Sequence, residues 1–233
     1  MLVSSARLIR MTRNVAILLL TAAAACCAQN RGPYPAHWWT PVPETEKAWW
    51  EVLPQAAGPG EVILSKRNEL GLLSNFAATP FTYRGVRYAS VEGFWYMLLY
   101  PEGPADPRAK APGVTWSHTR AEVSQMVAFE AKSAGQAAEE NMRKMGIDWV
   151  TFEGQRFPYH SKTTTGEHYR LIAAVMRAKL EQNPRVREVL LQTGNLVLRP
   201  DHIEETDAAL EWHYYQLWMD IRGELTTGTR RTD

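Results

Sequence analysis

The chain contains very little cysteine. Cys26 and Cys27 are the only two cysteines among 233 residues, and both lie near the amino terminus. The rest of the sequence therefore has no disulfide framework, no thiolate metal site and no cysteine nucleophile. It also lacks a phosphate-binding loop, a dinucleotide glycine fingerprint, zinc-type ligand spacing and a Gly-x-Ser-x-Gly nucleophile motif. We therefore predict a protein without a metal or a cofactor.

An excess of charge of one sign is also missing. The 26 basic and 25 acidic side chains give a formal net charge of +1. Without Arg7, Arg10 and Arg13, 23 basic side chains face 25 acidic ones. Nothing in this balance favours nonspecific binding to nucleic acid. With 45% hydrophobic and 22% charged residues, the composition is typical of a soluble globular domain that folds without metals or disulfides.

The amino terminus has the pattern of an export signal. The three early arginines precede an apolar run over residues 15–25, which is too short to span a bilayer. Small residues follow at the position where a signal peptidase cuts. We predict that residues 1–28 are a signal peptide and that the protein is exported, to the periplasm or outside the cell. A buried amino-terminal helix and a mitochondrial presequence are the alternatives, and a lipid anchor at Cys26 or Cys27 is compatible with export.

Residues 29–60 are rich in proline and tryptophan. Six prolines and two adjacent tryptophan pairs, at 38–39 and 49–50, occur in this stretch. Proline disfavours long regular elements, but disordered linkers seldom carry so much tryptophan. We predict an arm that packs its aromatic side chains on the domain surface and forms a short helix over 45–52. Simple packing, partner binding and covering of a substrate are all compatible with this pattern.

The sequence pattern of residues 61–226 predicts one compact domain. We predict that residues 227–233 form a disordered tail. The fold class that we predict is α+β, mainly α-helical with a small antiparallel β-element. Apolar and turn patterns predict a strand at 62–64, a hairpin of 81–83 with 86–88, and a buried helix over 91–100. Helical spacing and capping patterns predict further helices over 123–134, 136–145, from 169 to about 183, 186–192 and 210–225.

The acidic residue Glu92 lies in an unusually apolar segment of the sequence. Glu92 follows Ser90 at the start of the predicted buried helix and has hydrophobic and aromatic neighbours along the chain. A carboxylate in such surroundings is hydrogen-bonded, paired or kept neutral by a raised pKa. A raised pKa suits a catalytic acid or base. The alternative is a first-turn glutamate that the helix N-terminus stabilises, and the sequence leaves both interpretations open.

The order of the motifs resembles the NADAR family, named for NAD and ADP-ribose. The similarity lies in Ser74-Asn75-Phe76, the hairpin with Gly85, and Ser90-Val91-Glu92 before an aromatic helix. Later segments are also similar, at 176–184, 189–194 and 219–225, so that the likeness spans residues 61–226. The resemblance implies a NADAR-like fold. It also implies hydrolysis of the bond between ribose C1′ and a nitrogen in an ADP-ribose-like or nucleotide-like substrate.

The resemblance also implies roles for particular side chains. Glu92 matches the motif glutamate, and its carboxylate would stabilise the sugar cation or act as a general base. Asn75 would orient a ribose hydroxyl or a phosphate. Phe76 or Trp95 would stack on the base, with core packing as the alternative. Asp201 would add a second carboxylate, with a solvated turn aspartate as the alternative.

Two cations and three departures complete this interpretation. Lys132 and Arg199 are candidates for diphosphate contacts, unless they are ordinary surface charges. Gly93 and Leu99 stand where many NADAR members have histidine and lysine, and the loop before the last helix is short. These departures keep two alternatives open. One is a noncatalytic module that binds ADP-ribose or a nucleotide, and the other is a secreted interaction protein that uses the tryptophan-rich arm.

Overall fold

The computed structural model describes residues 32–204 and 208–228. The predicted signal peptide, the two cysteines and most of the predicted tail lie outside the described residues. By its internal contacts the chain divides into Met1–Tyr34 and Pro35–Asp233. All the helices and strands described here belong to the second unit.

Helices form most of the regular structure. The described α-helices are α1 (Val91–Met97), α2 (Arg120–Ser124), α3 (Ala128–Met145), α4 (Glu167–Gln182), α5 (Pro184–Gln192) and α6 (Tyr214–Thr227). Short 3-10 helices lie at Ala36–Trp39, Glu44–Glu46, Pro54–Ala56, Glu69–Leu73, Pro107–Lys110 and Leu210–Trp212. None of these helices is both long enough and apolar enough to cross a membrane.

Three two-stranded sheets complete the fold. The antiparallel sheets are β2 (Phe81–Tyr83) with β3 (Val86–Tyr88), and β4 (Trp149–Phe152) with β5 (Gln155–Pro158); the parallel one is β1 (Glu61–Ile63) with β6 (Val197–Arg199). The prediction of a mainly helical α+β fold is confirmed. The β2–β3 hairpin lies where it was predicted, and Arg84 and Gly85 both have positive φ in its turn. Neither the parallel pair nor the second hairpin was predicted.

The helix break predicted near Gly135 is wrong. Helix α3 runs unbroken through this residue, and the break lies before Ala128, which has a positive φ of 49°. Gly135 serves packing instead, because a Cβ atom there would lie 2.0 Å from a ring carbon of Tyr96. The glycine lets the ring of Tyr96 lie directly on the α3 backbone.

Gly135→Ala is therefore expected to lower the free energy of unfolding by about 1–3 kcal/mol, since the added methyl group overpacks this contact. Gly103→Ala is the matched control, because nothing lies within 4 Å of the Cβ position there. Its expected effect stays within about 0.5 kcal/mol. Urea denaturation of both variants measures the difference. Equal stability of the two would contradict the packing role of Gly135.

The two tryptophan pairs of residues 29–60 have different environments. Trp38 and Trp39 are buried, at 0% and 6% exposure, whereas Trp49 is 89% exposed. The predicted helix over 45–52 is wrong, because only Glu44–Glu46 forms a 3-10 turn. Residues 50–52 are instead extended alongside 201–203: Val52 N–H donates to the carbonyl of Asp201 at 2.8 Å. This segment thus supports the loop that contains Asp201.

Candidate active site

The motif loop over residues 73–76 is fixed by four separate parts of the fold. Each of its four consecutive carbonyl groups accepts a hydrogen bond from a different element. The donors are the Trp218 indole to Leu73 (2.6 Å), the Lys179 ammonium to Ser74 (2.8 Å), the Glu92 backbone to Asn75 (3.0 Å) and the Ala128 backbone to Phe76 (3.2 Å). This loop therefore holds Asn75 and Phe76 beside the first turn of α1, where Glu92 lies.

The lysine that anchors this loop is completely buried. Lys179 has 0% exposure, and burial lowers the pKa of its ammonium group from 10.5 to about 7. Desolvation disfavours the charged form, and the hydrogen bond to the Ser74 carbonyl offsets only part of that cost. Lys179 is too deep to contact a ligand, and its role is to position the loop.

The stability of the fold is expected to rise with pH because of this group. Above about pH 7 the folded chain has released the Lys179 proton, whereas the unfolded chain keeps it until about pH 10.5. The free energy of unfolding therefore increases in that window, by at most about 1.4 kcal/mol per pH unit. Denaturation between about pH 7 and about pH 9.5 measures the slope. Lys179→Met should flatten it and the exposed control Lys144→Met should not; an unchanged slope in Lys179→Met would contradict this.

Glu92 is the second residue of α1 and follows the Ser90 cap, whose hydroxyl accepts from the N–H of Gly93 at 2.9 Å. Burial raises the pKa of Glu92 to about 7; the positive charges of Lys132 and Lys66 oppose this rise, and the negative charge of Glu139 adds to it. A helix N-terminus alone would have lowered the pKa. Desolvation is therefore the stronger effect, which favours the acid–base interpretation over a simple first-turn glutamate.

The carboxylate of Glu92 lies in a recess. Its side chain is only half-buried, yet enough protein surrounds the carboxyl group for desolvation to be the main cause of its shifted pKa. A group that solvent reaches but that protein atoms largely enclose occupies a concave position. Within the described residues no donor hydrogen-bonds to this carboxylate, so its oxygens are available to water or a ligand.

Asp201 is not the solvated turn residue that the sequence allowed. It is 1% exposed, and its carboxylate oxygens lie 2.5 and 2.7 Å from the ammonium nitrogen of Lys66. Burial opposes its ionisation, but His202 and Lys66 outweigh burial and lower the pKa of Asp201. Because the carboxylate is enclosed, Asp201 affects the site through Lys66, and direct substrate contact by Asp201 is not supported.

Aromatic side chains and lysines lie beside Glu92. The ammonium nitrogens of Lys66 and Lys132 lie 5.1 and 6.0 Å from the ring centre of Phe76. Phe129 contacts Phe76 edge to face, with 5.2 Å between ring centres, and Trp50 lies 5.8 Å from Phe129. Phe76 and Trp50 are half-buried and Phe129 is exposed. This aromatic wall, formed by Phe76, Phe129 and Trp50, provides apolar faces, and the two lysines provide positive charge beside it.

Asn75 carries an unused polar atom at the site. The residue is 9% exposed, and its side-chain oxygen is buried with no hydrogen-bond partner among the residues described. The hydroxyl of Tyr214 is likewise buried without a partner, and burial, together with the charges of Asp201, Glu204 and Glu92, raises the pKa of this tyrosine. Buried polar atoms are normally satisfied. Because the backbone carbonyl of Asn75 accepts a hydrogen bond from the backbone of Glu92, we take the unsatisfied amide oxygen of Asn75 as a candidate acceptor for a ligand hydroxyl.

Trp95 does not form a stacking platform. It is 5% exposed, and the edge of its indole packs on His168 with ring centres 4.9 Å apart. Its N–H donates to the hydroxyl of Tyr159 at 3.0 Å, and that hydroxyl donates to Glu139 Oε1 at 3.1 Å. The core alternative thus applies to Trp95, which begins a hydrogen-bond chain to Glu139.

The two cations predicted to contact a diphosphate, Lys132 and Arg199, differ in their ion pairing. Arg199 pairs with Glu61 at 2.5 Å and is not directed to a ligand, whereas Lys132 has no ion-pair partner in the described part of the chain. Gly93 is required by packing, since a Cβ there would lie 2.5 Å from the carbonyl of Met126. Leu99 is fully buried. Both residues are therefore part of the close packing around α1.

Sequence reasoning missed Lys66, Tyr96 and Glu139 as members of this site. Lys66 reaches Asp201 only through the β1–β6 pairing, which joins segments more than 130 residues apart. The spacing of Lys132, Gly135 and Glu139 was a usable signal, since these positions share one face of a continuous helix. In the described ranges no group of three or more His, Cys, Asp and Glu side chains is placed to hold a metal ion.

Comparisons with known proteins give one structural likeness. No protein-family model matches the chain, and no curated protein matches it. The chain is similar to the NMR structure of the E. coli protein YbiA, with 17% sequence identity and a TM-score of 0.45. The match covers 82% of this chain and 98% of that one. YbiA is a NADAR-family protein.

Proposed function

We propose that this protein hydrolyses the bond between ribose C1′ and a nitrogen in an ADP-ribose-like or nucleotide-like substrate. The observation that carries the proposal is the carboxyl group of Glu92, which lies in a recess and has its pKa raised to about 7 by burial. A group with that pKa is present in both protonation states at neutral pH. Such a carboxyl group can stabilise a developing positive charge in its ionised form and can also accept a proton from water.

The chemistry of the bond explains why a carboxylate is needed. As the C1′–N bond lengthens, positive charge develops on C1′ and the ring oxygen, as it does in glycoside hydrolysis. The ionised form of Glu92 stabilises this charge in surroundings of low polarity and can take a proton from the attacking water. The absence of a donor to the carboxylate from any described residue leaves its oxygens available for this task.

The neighbouring groups match the parts of a nucleotide. The unsatisfied oxygen of Asn75 would accept a hydrogen bond from a ribose hydroxyl. The aromatic wall offers planar faces to a base, and Lys132, which has no described ion-pair partner, would attract a phosphate. Trp95 and Arg199 have no part in this scheme.

The test uses the chain from residue 29 onward, incubated with NAD, ADP-ribosylated nucleic acid and ribosylaminopyrimidine phosphates. Chromatography of the free base or amine measures cleavage. Release from at least one substrate is the expected result, and release from none would overturn the proposal. Calorimetry with ADP-ribose separates the noncatalytic alternative, which predicts tight binding without release of a base.

A further inference from the structure

We propose that Glu139 is a second catalytic residue, which donates a proton to the nitrogen that leaves ribose C1′. The inference rests on the proposed function and extends it, because it divides the reaction between two carboxyl groups on two helices. Glu92 on α1 then acts on the sugar and the water, and Glu139 on α3 acts on the leaving group.

An acid is required because the departing nitrogen must receive a proton. When a neutral N-glycosidic bond breaks, the nitrogen keeps the bonding electron pair and departs as an anion unless it receives a proton. Such anions are strong bases and leave slowly, so a positioned acid accelerates the step by roughly 10²–10⁴-fold. Glu92 cannot supply that proton while its ionised form stabilises the sugar. A second acidic group is needed.

The other acidic groups around the recess do not suit this role. Asp201 is held ionised by His202 and Lys66, which lower its pKa. Burial raises the pKa of Tyr96 far above its usual range, so that it is a weak acid near neutral pH. Glu139 differs from both: it is half-buried, and burial raises its pKa although Tyr159 and nearby positive charges oppose the rise.

The helix geometry places both glutamates near one ring, that of Tyr96. Glu139 and Gly135 are four residues apart on α3, so they share a face, and α3 packs against α1. The close contact at Gly135 seats the ring of Tyr96 on this face. Tyr96 lies one turn after Glu92 on α1, and its own pKa is raised, after burial, by the charges of both Glu92 and Glu139.

A hydrogen-bond chain fixes the orientation of the proposed acid. The indole N–H of Trp95 donates to the hydroxyl of Tyr159, which donates to Glu139 Oε1 at 3.1 Å. Because Oε1 is held in this way, Oε2 is the atom that would carry the transferable proton. Tyr159 is thus a positioning residue for Glu139, and this assigns a purpose to the buried Trp95.

The step balances as a hydrolysis. The C1′–N bond breaks with its electron pair on nitrogen, and the proton from Glu139 forms the new N–H bond. Water forms the C1′–O bond and gives its proton to Glu92. Glu92 then holds the proton that Glu139 has lost, and exchange with solvent water restores both groups.

Two probes with different leaving groups test the proposal. NAD releases nicotinamide from a cationic pyridinium nitrogen, which leaves neutral and needs no proton, whereas a ribosylaminopyrimidine phosphate releases a neutral amine only after protonation. Glu139→Gln is expected to lower kcat for the ribosylaminopyrimidine roughly 10²-fold or more and to change kcat for NAD less than about threefold. With the ribosylaminopyrimidine phosphate, the unmodified protein should lose activity at high pH as Glu139 loses its proton, and Glu139→Gln should remove this loss. Tyr159→Phe should produce a smaller loss with the same selectivity.

Glu140→Gln is the matched control, since the adjacent Glu140 is exposed and forms an ion pair with Lys144 on the same helix. Equal losses with both probes in Glu139→Gln would overturn the acid role and indicate a structural one, and so would no loss with either probe. If Glu92→Gln abolishes cleavage of the ribosylaminopyrimidine phosphate while Glu139→Gln leaves that cleavage unchanged, only the present inference falls. If the unmodified protein cleaves neither probe, this inference falls, and the proposed function falls with it only if ADP-ribosylated nucleic acid is also left intact.

Discussion

Replacing Glu92 with glutamine is expected to lower kcat/KM for N-glycoside hydrolysis by about 10²–10⁴-fold. The amide keeps the shape of the side chain but cannot become an anion to stabilise the sugar cation or accept a proton from water. With NAD, whose leaving group needs no proton, kcat/KM of the unmodified enzyme should rise with pH through about pH 7, because burial raises the pKa of Glu92 to about that value and the ionised form is the active one. Initial rates of base release between about pH 5 and about pH 9 measure both effects.

The control for this substitution is again Glu140→Gln, which removes an exposed carboxylate without touching the recess. It is expected to retain full activity and an unchanged pH profile. A Glu92→Gln protein that cleaves as fast as this control would remove Glu92 from the mechanism. Circular dichroism of both variants shows whether the fold is intact, so that lost activity is not confused with unfolding.

Trp38→Ala is expected to lower the free energy of unfolding by about 3–5 kcal/mol, the largest effect on stability that we predict. Its ring is completely buried, and its indole N–H donates to Glu69 Oε1 at 2.7 Å. The substitution leaves a large cavity and removes a donor from a partly buried carboxylate. Urea denaturation measures the change.

Trp49→Ala provides the comparison within the same segment. Trp49 is 89% exposed, so its truncation should change stability by no more than about 0.5 kcal/mol. Similar small effects at both positions would mean that residues 29–60 form a dispensable arm. Since Val52 also supports the Asp201 loop, deletion of residues 29–60 should unfold the domain. The alternative of a secreted interaction protein predicts the opposite result: the arm could be removed and the domain would stay folded.

Local sequence patterns predicted the local parts of the fold well. The β2–β3 hairpin followed from a glycine turn between apolar triplets, and α4 and α5 followed from helical spacing and a proline boundary. The error at Gly135 has a specific cause: glycine there indicates close contact with Tyr96, and a single sequence does not distinguish a packing glycine from a helix end. The parallel β1–β6 pair joins distant segments and leaves no local signal.

In the site, too, residues with a local sequence signal were predicted and residues that depend on tertiary contacts were not. Glu92 and Asn75 were predictable because both belong to a short motif, and their local surroundings already indicated an unusual carboxylate. Lys66 and Glu139 were not predicted, since a lone lysine in a loop and a helical glutamate are ordinary until tertiary contacts give them partners. Trp95 shows the opposite case. Its aromatic character suggested stacking, but burial and the bond to Tyr159 assign it to the core.

The most direct test of this account is a titration of the Glu92 carboxyl carbon by NMR in carbon-13-labelled protein, with Glu92→Gln used to assign the resonance. We predict that the pKa of Glu92 lies near 7, well above the value of about 4.3 of an ordinary glutamate, since burial in the recess disfavours its ionised form. A midpoint at the ordinary value would show that the carboxylate is fully solvated. That result would contradict both the position of Glu92 in a recess and its proposed catalytic role.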